Sequence, residues 1–212
     1  AMRNFANKLW NASRFVMMNL NVHDCALPER LELPDKWVLS KLNTLAGEVR
    51  ENLDKYELGI AAQKIYDFIW DTYCDWYIEL AKARLNGSDA EARDGAERVL
   101  LYVLTGILKL LHPFMPYITE EIYQAIPHEC EALIIAPYPK YDEALSFPAE
   151  EQSFELVMDA IRAIRSRRAD MNVPPSRKAK VIVATAEGET FAAGAPYMER
   201  LASASEVEVV PS

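Results

Sequence analysis

Apolar residues recur along this chain at helical spacing, and the breaks between the runs fall at proline, glycine and asparagine. Phe5, Leu9, Ala12, Val16 and Leu20 lie three or four apart, which predicts an amphipathic helix over about residues 3 to 20. Its opposite face holds Asn7, Asn11 and Arg14, with Lys8 beside them. A second helix is predicted after Pro34, with Asp35 as its cap and Val38, Leu42, Leu45, Val49 and Leu53 as its buried stripe. A third runs from about Leu58 to Leu85. It carries Leu58, Ala62, Ile65, Ile69, Tyr73, Trp76 and Leu80 on one line and Tyr66, Trp70 and Tyr77 on the next, an apolar face wide enough for the centre of a bundle. The remaining face repeats Asp67, Asp71, Asp75 and Glu79 at i, i+4, like charges that repel one another and would repel RNA.

The fragment NGSD, Asn86 to Asp89, reads as a turn, after which a fourth helix extends to about His112 and a fifth from Pro116 to Ile126. Between them lies HPFMPYITEEIY, from His112 to Tyr123. Pro113 stops the apolar run before it, and Pro116 sits in a first helical turn, where a missing N–H is tolerated. Glu120 and Glu121 follow near the positive helix start, so the segment is a helix-break-helix corner. Residues 127–149, with Pro127, Pro137, Pro139 and Pro148, read as an extended connector. A sixth helix begins near Pro148 and ends around Ala169, turning Phe154, Val157, Ile161 and Ile164 inward. After Pro174 and Pro175 the period changes: KAKVIVAT alternates or runs β-branched, Thr190 to Leu201 suits a helix, and EVEVV alternates again. The predicted fold is mainly α, a helical bundle over residues 1–147, followed over 148–212 by a basic helix and a small αβ appendage. There is no repeat of solenoid length and no low-complexity tract.

Half of the 212 residues are hydrophobic, enough for one sizeable core or a core with a small appendage. A net charge of -9 argues against a nucleic-acid partner on average. The average hides a partition. From Arg162 to Lys180 seven basic residues face one acid, a local charge of +6 that leaves -15 elsewhere, and the first acidic residue of the chain is Asp24. Three distant cysteines, Cys25, Cys74 and Cys130, suit a reducing compartment rather than a disulfide framework. His23 and Cys25 without a second ligand pair make a poor metal site. The longest apolar stretch, Val99 to Leu111, is well short of the roughly 20 residues that cross a bilayer, so no membrane association is expected. The start has no signal-like pattern, Ala1 ahead of Met2 reads as an addition, and the chain reads as a piece of something longer.

No Gly-rich phosphate loop, nucleophile elbow or HExxH motif occurs, and the chain has only seven glycines. The acidic line along the third helix does not converge on a point, so it reads as a solvated face. His112 reads as a helix-end residue. Binding chemistry is better represented. Asn7, Lys8, Asn11 and Arg14 form an acid-free face whose amides and guanidinium are suited to base edges of an unpaired loop. Trp10, Phe15 and Trp37 are near in sequence and able to stack on bases; alternatively, the aromatics pack inside and the polar groups face water. Arg162, Arg165 and Arg167 or Arg168 fall at i+3 spacing, a ridge suited to phosphates, although a basic helix end also complements the helix dipole without any partner.

Several segments together resemble the valyl-tRNA synthetases, within the class I aminoacyl-tRNA synthetases that handle branched aliphatic amino acids: NFANKLWNASRFVMMNL at 4–20, CDWYIELAK at 74–82, LKLLHPFMPYITEEIYQ at 108–124 and IRSRRADMNVPP at 164–175. Leucyl and isoleucyl enzymes share the DW and HPFxPxxxEE themes. The NKLWNASRF opening and the Arg-rich DMNVPP stretch are closer to the valyl type, and the zinc-binding cysteine tail common in isoleucyl enzymes is missing. The resemblance implies a parent that attaches valine to its tRNA using ATP in the cytoplasm, of which this piece is the anticodon-binding bundle. The Rossmann-type domain with HIGH and KMSKS, the editing domain and the C-terminal coiled coil are absent, so no catalysis and no cofactor are expected here; ATP belongs to the parent's catalytic domain. Partners implied are valine tRNA isoacceptors and the parent's catalytic and editing domains. The reading of the anticodon's adenine and cytosine carries over onto Asn7, Asn11 and Arg14, with Lys8, Trp37 and Lys41 as neighbours. Rival readings are a leucyl or isoleucyl domain, or a non-enzymatic helical module whose aromatic and Met-bearing grooves receive another protein's helix.

Overall fold

The computed structural model describes residues 2–212, with side chains from Arg3 onward; Ala1, read above as an addition, lies outside the described residues. Two compact units divide the chain, one running to Phe147 and the other from Pro148 to Ser212.

The first unit is all helical. α1 (Met2–Asn19), α2 (Leu33–Asp54), α3 (Leu58–Asp67), α4 (Ile78–Leu85), α5 (Ala90–Leu111) and α6 (Pro116–Gln124) follow in order, and α3 runs into α4 through a π-helical segment, Phe68–Tyr77. The centre of the bundle is α5, not the long third helix as expected. α5 packs against α1, α2, α3, α4 and α6, and Val99, Leu101, Val103, Leu104, Ile107 and Leu108 are wholly buried. Asp89 caps it, its carboxylate accepting from Glu91 N and Ala92 N. At the far end of α5 the corner forms as the prolines dictate. Pro116 opens α6, Thr119 Oγ1 donates to Met115 O at 2.8 Å, and His112 Nδ1 lies 2.8 Å from the same hydroxyl. Glu120 does not serve the helix start; its carboxylate accepts from Leu133 N and so holds the connector.

The third predicted helix is continuous but changes pitch. In the π segment backbone bonds run i to i+5, as in Ile78 N to Tyr73 O, so the apolar line drawn at α-helical spacing drifts. Leu58 is 56% exposed at one end, while Tyr73 and Tyr77 are wholly buried. Tyr73 OH donates to Leu100 O at 3.0 Å. Tyr77 OH donates at 2.6 Å to Asp35, the centre of a buried polar cluster. Asp35 is not the cap expected of it. The helix begins a turn earlier because Pro34 needs no N–H partner in a first turn, which places Asp35 at the third helical position with Glu32 as cap. There its carboxylate, with no exposure to solvent, accepts from Arg84 Nη1 at 2.8 Å, Arg84 Nη2 at 2.5 Å and Glu32 N at 2.9 Å. Burial, and then the Asp35 charge, hold the Tyr77 phenol well above its ordinary pKa, so it stays a donor.

The connector after α6 forms two 3-10 turns, Leu133–Ile135 and Glu143–Leu145, and is strapped to the bundle. Asn43 exchanges two 2.8 Å hydrogen bonds with the backbone of Asp142, Tyr138 OH donates to Leu110 O, and Phe147 N donates to Ser40 Oγ. In the second unit, α7 (Pro148–Asp170) packs against α8 (Gly188–Leu201), and β1 (Ala179–Ala184) pairs in parallel with β2 (Ala204–Val210), α8 being the crossover. Phe154, Val157, Met158 and Ile161 are the buried face of α7. Gly194 permits the close α7–α8 contact, since a Cβ there would lie 2.5 Å from Val157 Cγ2. Among the described residues no helix is long and apolar enough to cross a membrane.

Removing one partner of the Asp35–Arg84 pair leaves a buried charge uncompensated. Asp35→Ala or Arg84→Met is therefore expected to lower unfolding free energy by roughly 3–5 kcal/mol, measured by urea denaturation. Tyr77→Phe should cost about 1 kcal/mol, and the double variant D35L/R84M less than the sum of the single losses.

Candidate nucleic-acid interface

α1 lies across the bundle with Phe5, Leu9, Ala12 and Val16 buried, as its apolar period requires. The same period sends Asn7, Asn11 and Arg14 outward, and all three are exposed. Trp10 joins them, 42% exposed, so the spacing 7, 10, 11, 14 makes one solvent-facing stripe of two amides, an indole and a guanidinium. Amides and guanidinium make paired hydrogen bonds to base edges, and an exposed indole is a stacking platform.

Beside the stripe an open groove runs between α1 and the neighbouring π segment and α4, lined among others by Asn7, Lys8, Asn11, Phe15, Cys74 and Lys82. The groove is not acid-free as the α1 sequence by itself suggests. Lys8 turns inward: its Nζ lies 2.7 Å from Asp75 Oδ1 and 3.8 Å from the centre of the Trp70 ring. Trp70 in turn stacks on Tyr66, with ring centres 5.7 Å apart. Lys82 repeats the arrangement, 2.5 Å from Glu79 Oε1 and 5.4 Å over the Phe15 ring. Two of the four stacked acids are thus relieved by lysines, and Gln63 donates to a third, Asp67.

Other candidates are displaced by the fold. Trp37 is 2% exposed and is a core residue, so it cannot stack on a base; the apolar stripe of α2 is wider than its spacing of valines and leucines implied. Lys41, four residues on, is half-buried on α2. In the second unit the i+3 arginine ridge is largely engaged in the fold. Arg162 pairs with Asp159 at 2.5 Å, Arg165 Nε donates to Leu201 O at 2.6 Å at the end of α8, and Arg168 donates to Pro174 O and Arg177 O. Arg167 is exposed. The phosphate ridge expected from spacing is therefore mainly a set of carbonyl clamps, because α7 meets the turn of α8 and the 171–178 loop on that side.

Among the described residues no set of three or more His, Cys, Asp or Glu side chains is disposed to hold a metal ion. His112 is occupied by Thr119, as a helix-end residue. A cavity of about 240 Å³ lies under the connector, lined by Leu42, Tyr102, Thr105, Lys109 and Tyr123 among others. Sequence reasoning missed Lys82 as part of the groove and Asp75 as the partner of Lys8, although the acid repeat on one helix opposite an acid-free neighbour was the available signal.

The chain pairs a helical bundle with an exposed polar stripe, and comparison places its family. The family described as the anticodon-binding domain of tRNA ligase matches residues 35–183, and the chain belongs to that family. Its relatives narrow the branch. The valine–tRNA ligase of Clostridium perfringens is 53% identical over 98% of this chain and 24% of its own length, and that of Clostridium acetobutylicum 51% identical over 100% and 25%. The valine–tRNA ligase of Bacillus anthracis is 40% identical over 97% of this chain and 24% of its own length. The chain spans about a quarter of the length of these relatives.

Cys74, in the wall of the groove, yields a pH test. Burial pushes its thiol from an ordinary value of 9.0 up to about 12, against a smaller opposing pull from Lys8. Because the thiolate is the reactive form, Cys74 should resist a thiol reagent at about pH 8 in the folded chain and label readily after unfolding in urea. A group raised in the folded state contributes stability that is present below its unfolded value and lost as pH climbs through the folded one. The loss should fall between pH 9 and about 12, and be absent from Cys74→Ala.

Proposed function

We propose that this chain is the anticodon-reading portion of a valine–tRNA ligase, acting in the cytoplasm on valine tRNA isoacceptors. Attachment of valine with ATP belongs to the catalytic and editing portions of the longer protein. The observation that carries the reading is the exposed stripe Asn7, Trp10, Asn11 and Arg14 on α1. Unpaired anticodon bases splay outward, and recognition of such bases rests on stacking together with hydrogen bonds to their edges. Asn7, Asn11 and Arg14 supply the edge contacts and Trp10 the stacking surface, a role the buried Trp37 does not take. Arg167, exposed on α7, is suited to backbone phosphates of the tRNA, contacts that hold a strand without reading it. The relatives named as valine–tRNA ligases, matched over nearly the whole chain, support the choice of amino acid.

A titration of labelled valine tRNA anticodon stem-loop tests this. With about four phosphates neutralised, log affinity should fall with log salt at a slope of roughly -3. Arg14→Ala should reduce the preference for the cognate loop by about 1–3 kcal/mol, whereas Arg167→Ala should weaken all loops alike and flatten the slope by about 0.7. Salt-independent binding, or equal binding of an unrelated loop, counts against the reading; tighter binding of a leucine or isoleucine loop reassigns the branch.

A further inference from the structure

Each lysine of the α1 groove is held from two sides, by an aromatic face and by a carboxylate; both partners of Lys8 lie on the π segment, whereas Lys82 takes its ring from α1 and its carboxylate from its own helix. Lys8 lies between Trp70 and Asp75, Lys82 between Phe15 and Glu79. The side chains stay substantially exposed, 23% and 51% for the first pair and 32% and 43% for the second. Ion pairs this open contribute about 0–1 kcal/mol to stability, so the fold does not require them. Their larger effect is on the field in the groove. Without Asp75 and Glu79, two cations beside half-buried rings would form a surface that takes any single strand, since every nucleotide has a phosphate and every base a π face. A strand gripped by its backbone along the groove floor is not sorted by its base edges.

We propose, resting on the reading of α1 given above, that Asp75 and Glu79 are specificity-determining residues. By compensating Lys8 and Lys82 they keep phosphates off the groove floor. A loop then enters with its base edges toward Asn7 and Asn11 and its backbone outward, and unrelated strands are not retained. The i, i+4 line that places Asp67 and Asp71 beyond them extends the same rail along the helix.

The test uses the isosteric variants Asp75→Asn and Glu79→Gln, titrated with the valine tRNA anticodon stem-loop and with an unrelated stem-loop over a range of salt. Freeing one lysine to meet one phosphate should steepen the salt slope by about 0.7. Affinity for the unrelated loop should rise by roughly tenfold at low salt, with a smaller rise for the cognate loop, so that preference falls. Adding Lys8→Met to Asp75→Asn should return slope and preference to their starting values. A purely structural pair would lower the urea midpoint and leave both unchanged. If the starting chain prefers the cognate loop yet Asp75→Asn alters neither slope nor preference, or Lys8→Met fails to reverse it, this inference is overturned while the reading of α1 stands. If the starting chain binds both loops alike, both fail together.

Discussion

A single carboxylate with no access to water organises the first unit. Asp35 gathers two guanidinium N–H groups, a phenol O–H and a backbone N–H, and each donor arrives from a different place in the chain: the end of α4, the π segment and the cap of its own helix. A charge removed from water is tolerated only when its lone pairs are met by fixed donors. Helices with apolar stripes can slide or rotate against one another at small cost, but this cluster has one arrangement that satisfies it. It therefore fixes the start of α2 relative to the π segment and α4; α5 packs against α2 and α4, and Tyr73 of the π segment donates to its Leu100 O. The π winding belongs to the same constraint. It keeps Tyr73 and Tyr77, four residues apart, both pointing inward to Leu100 O and Asp35, while Asp75 between them points out to Lys8.

Charge in the two units is thus handled by different means. In the first, Asp75 is matched to Lys8 across the groove and Glu79 to Lys82 along its own helix, so the exposed amides and Arg14 are left as the most distinctive chemistry of α1. In the second, much of the local positive charge is turned to the chain's own carbonyls. Arg165 meets the last residue of α8, and Arg168 ties the loop that leads into β1. A guanidinium has five donors in a rigid fork, which suits it to hold several carbonyls while remaining charged.

Helix positions were legible because a 3.6-residue period of apolar residues, interrupted by proline or by NGSD, is a local signal. So was the αβ tail, where the period shifts to two, though not the parallel pairing that α8 imposes. The acid-free outer face of α1 was legible for the same reason: once Phe5, Leu9 and Val16 face in, Asn7, Asn11 and Arg14 face out. What spacing cannot convey is the identity of the neighbour. Trp37 is one position from the predicted stripe of α2, and only the packing of α2 into the bundle makes it core. Lys8 is polar and lies beside the outer face, yet a ring and a carboxylate from the third helix draw it sideways. Arg84 gives no sign in sequence of an aspartate 49 residues earlier. The π segment is invisible to a reading that assumes one pitch for every helix.

The connector from Pro127 to Phe147 illustrates how misleading composition can be about mobility. Its prolines and lack of regular structure are the marks of a linker, but Asn43, Ser40 and Glu120 fasten its backbone and Leu110 its Tyr138 phenol, at four separate points. A protease needs a stretch of chain that can peel away and enter its cleft, and this strap offers little slack. The exposed turn at Asn86–Asp89, between two helices and with far fewer ties, is where the covalent chain can be opened or re-routed with least disturbance to the bundle.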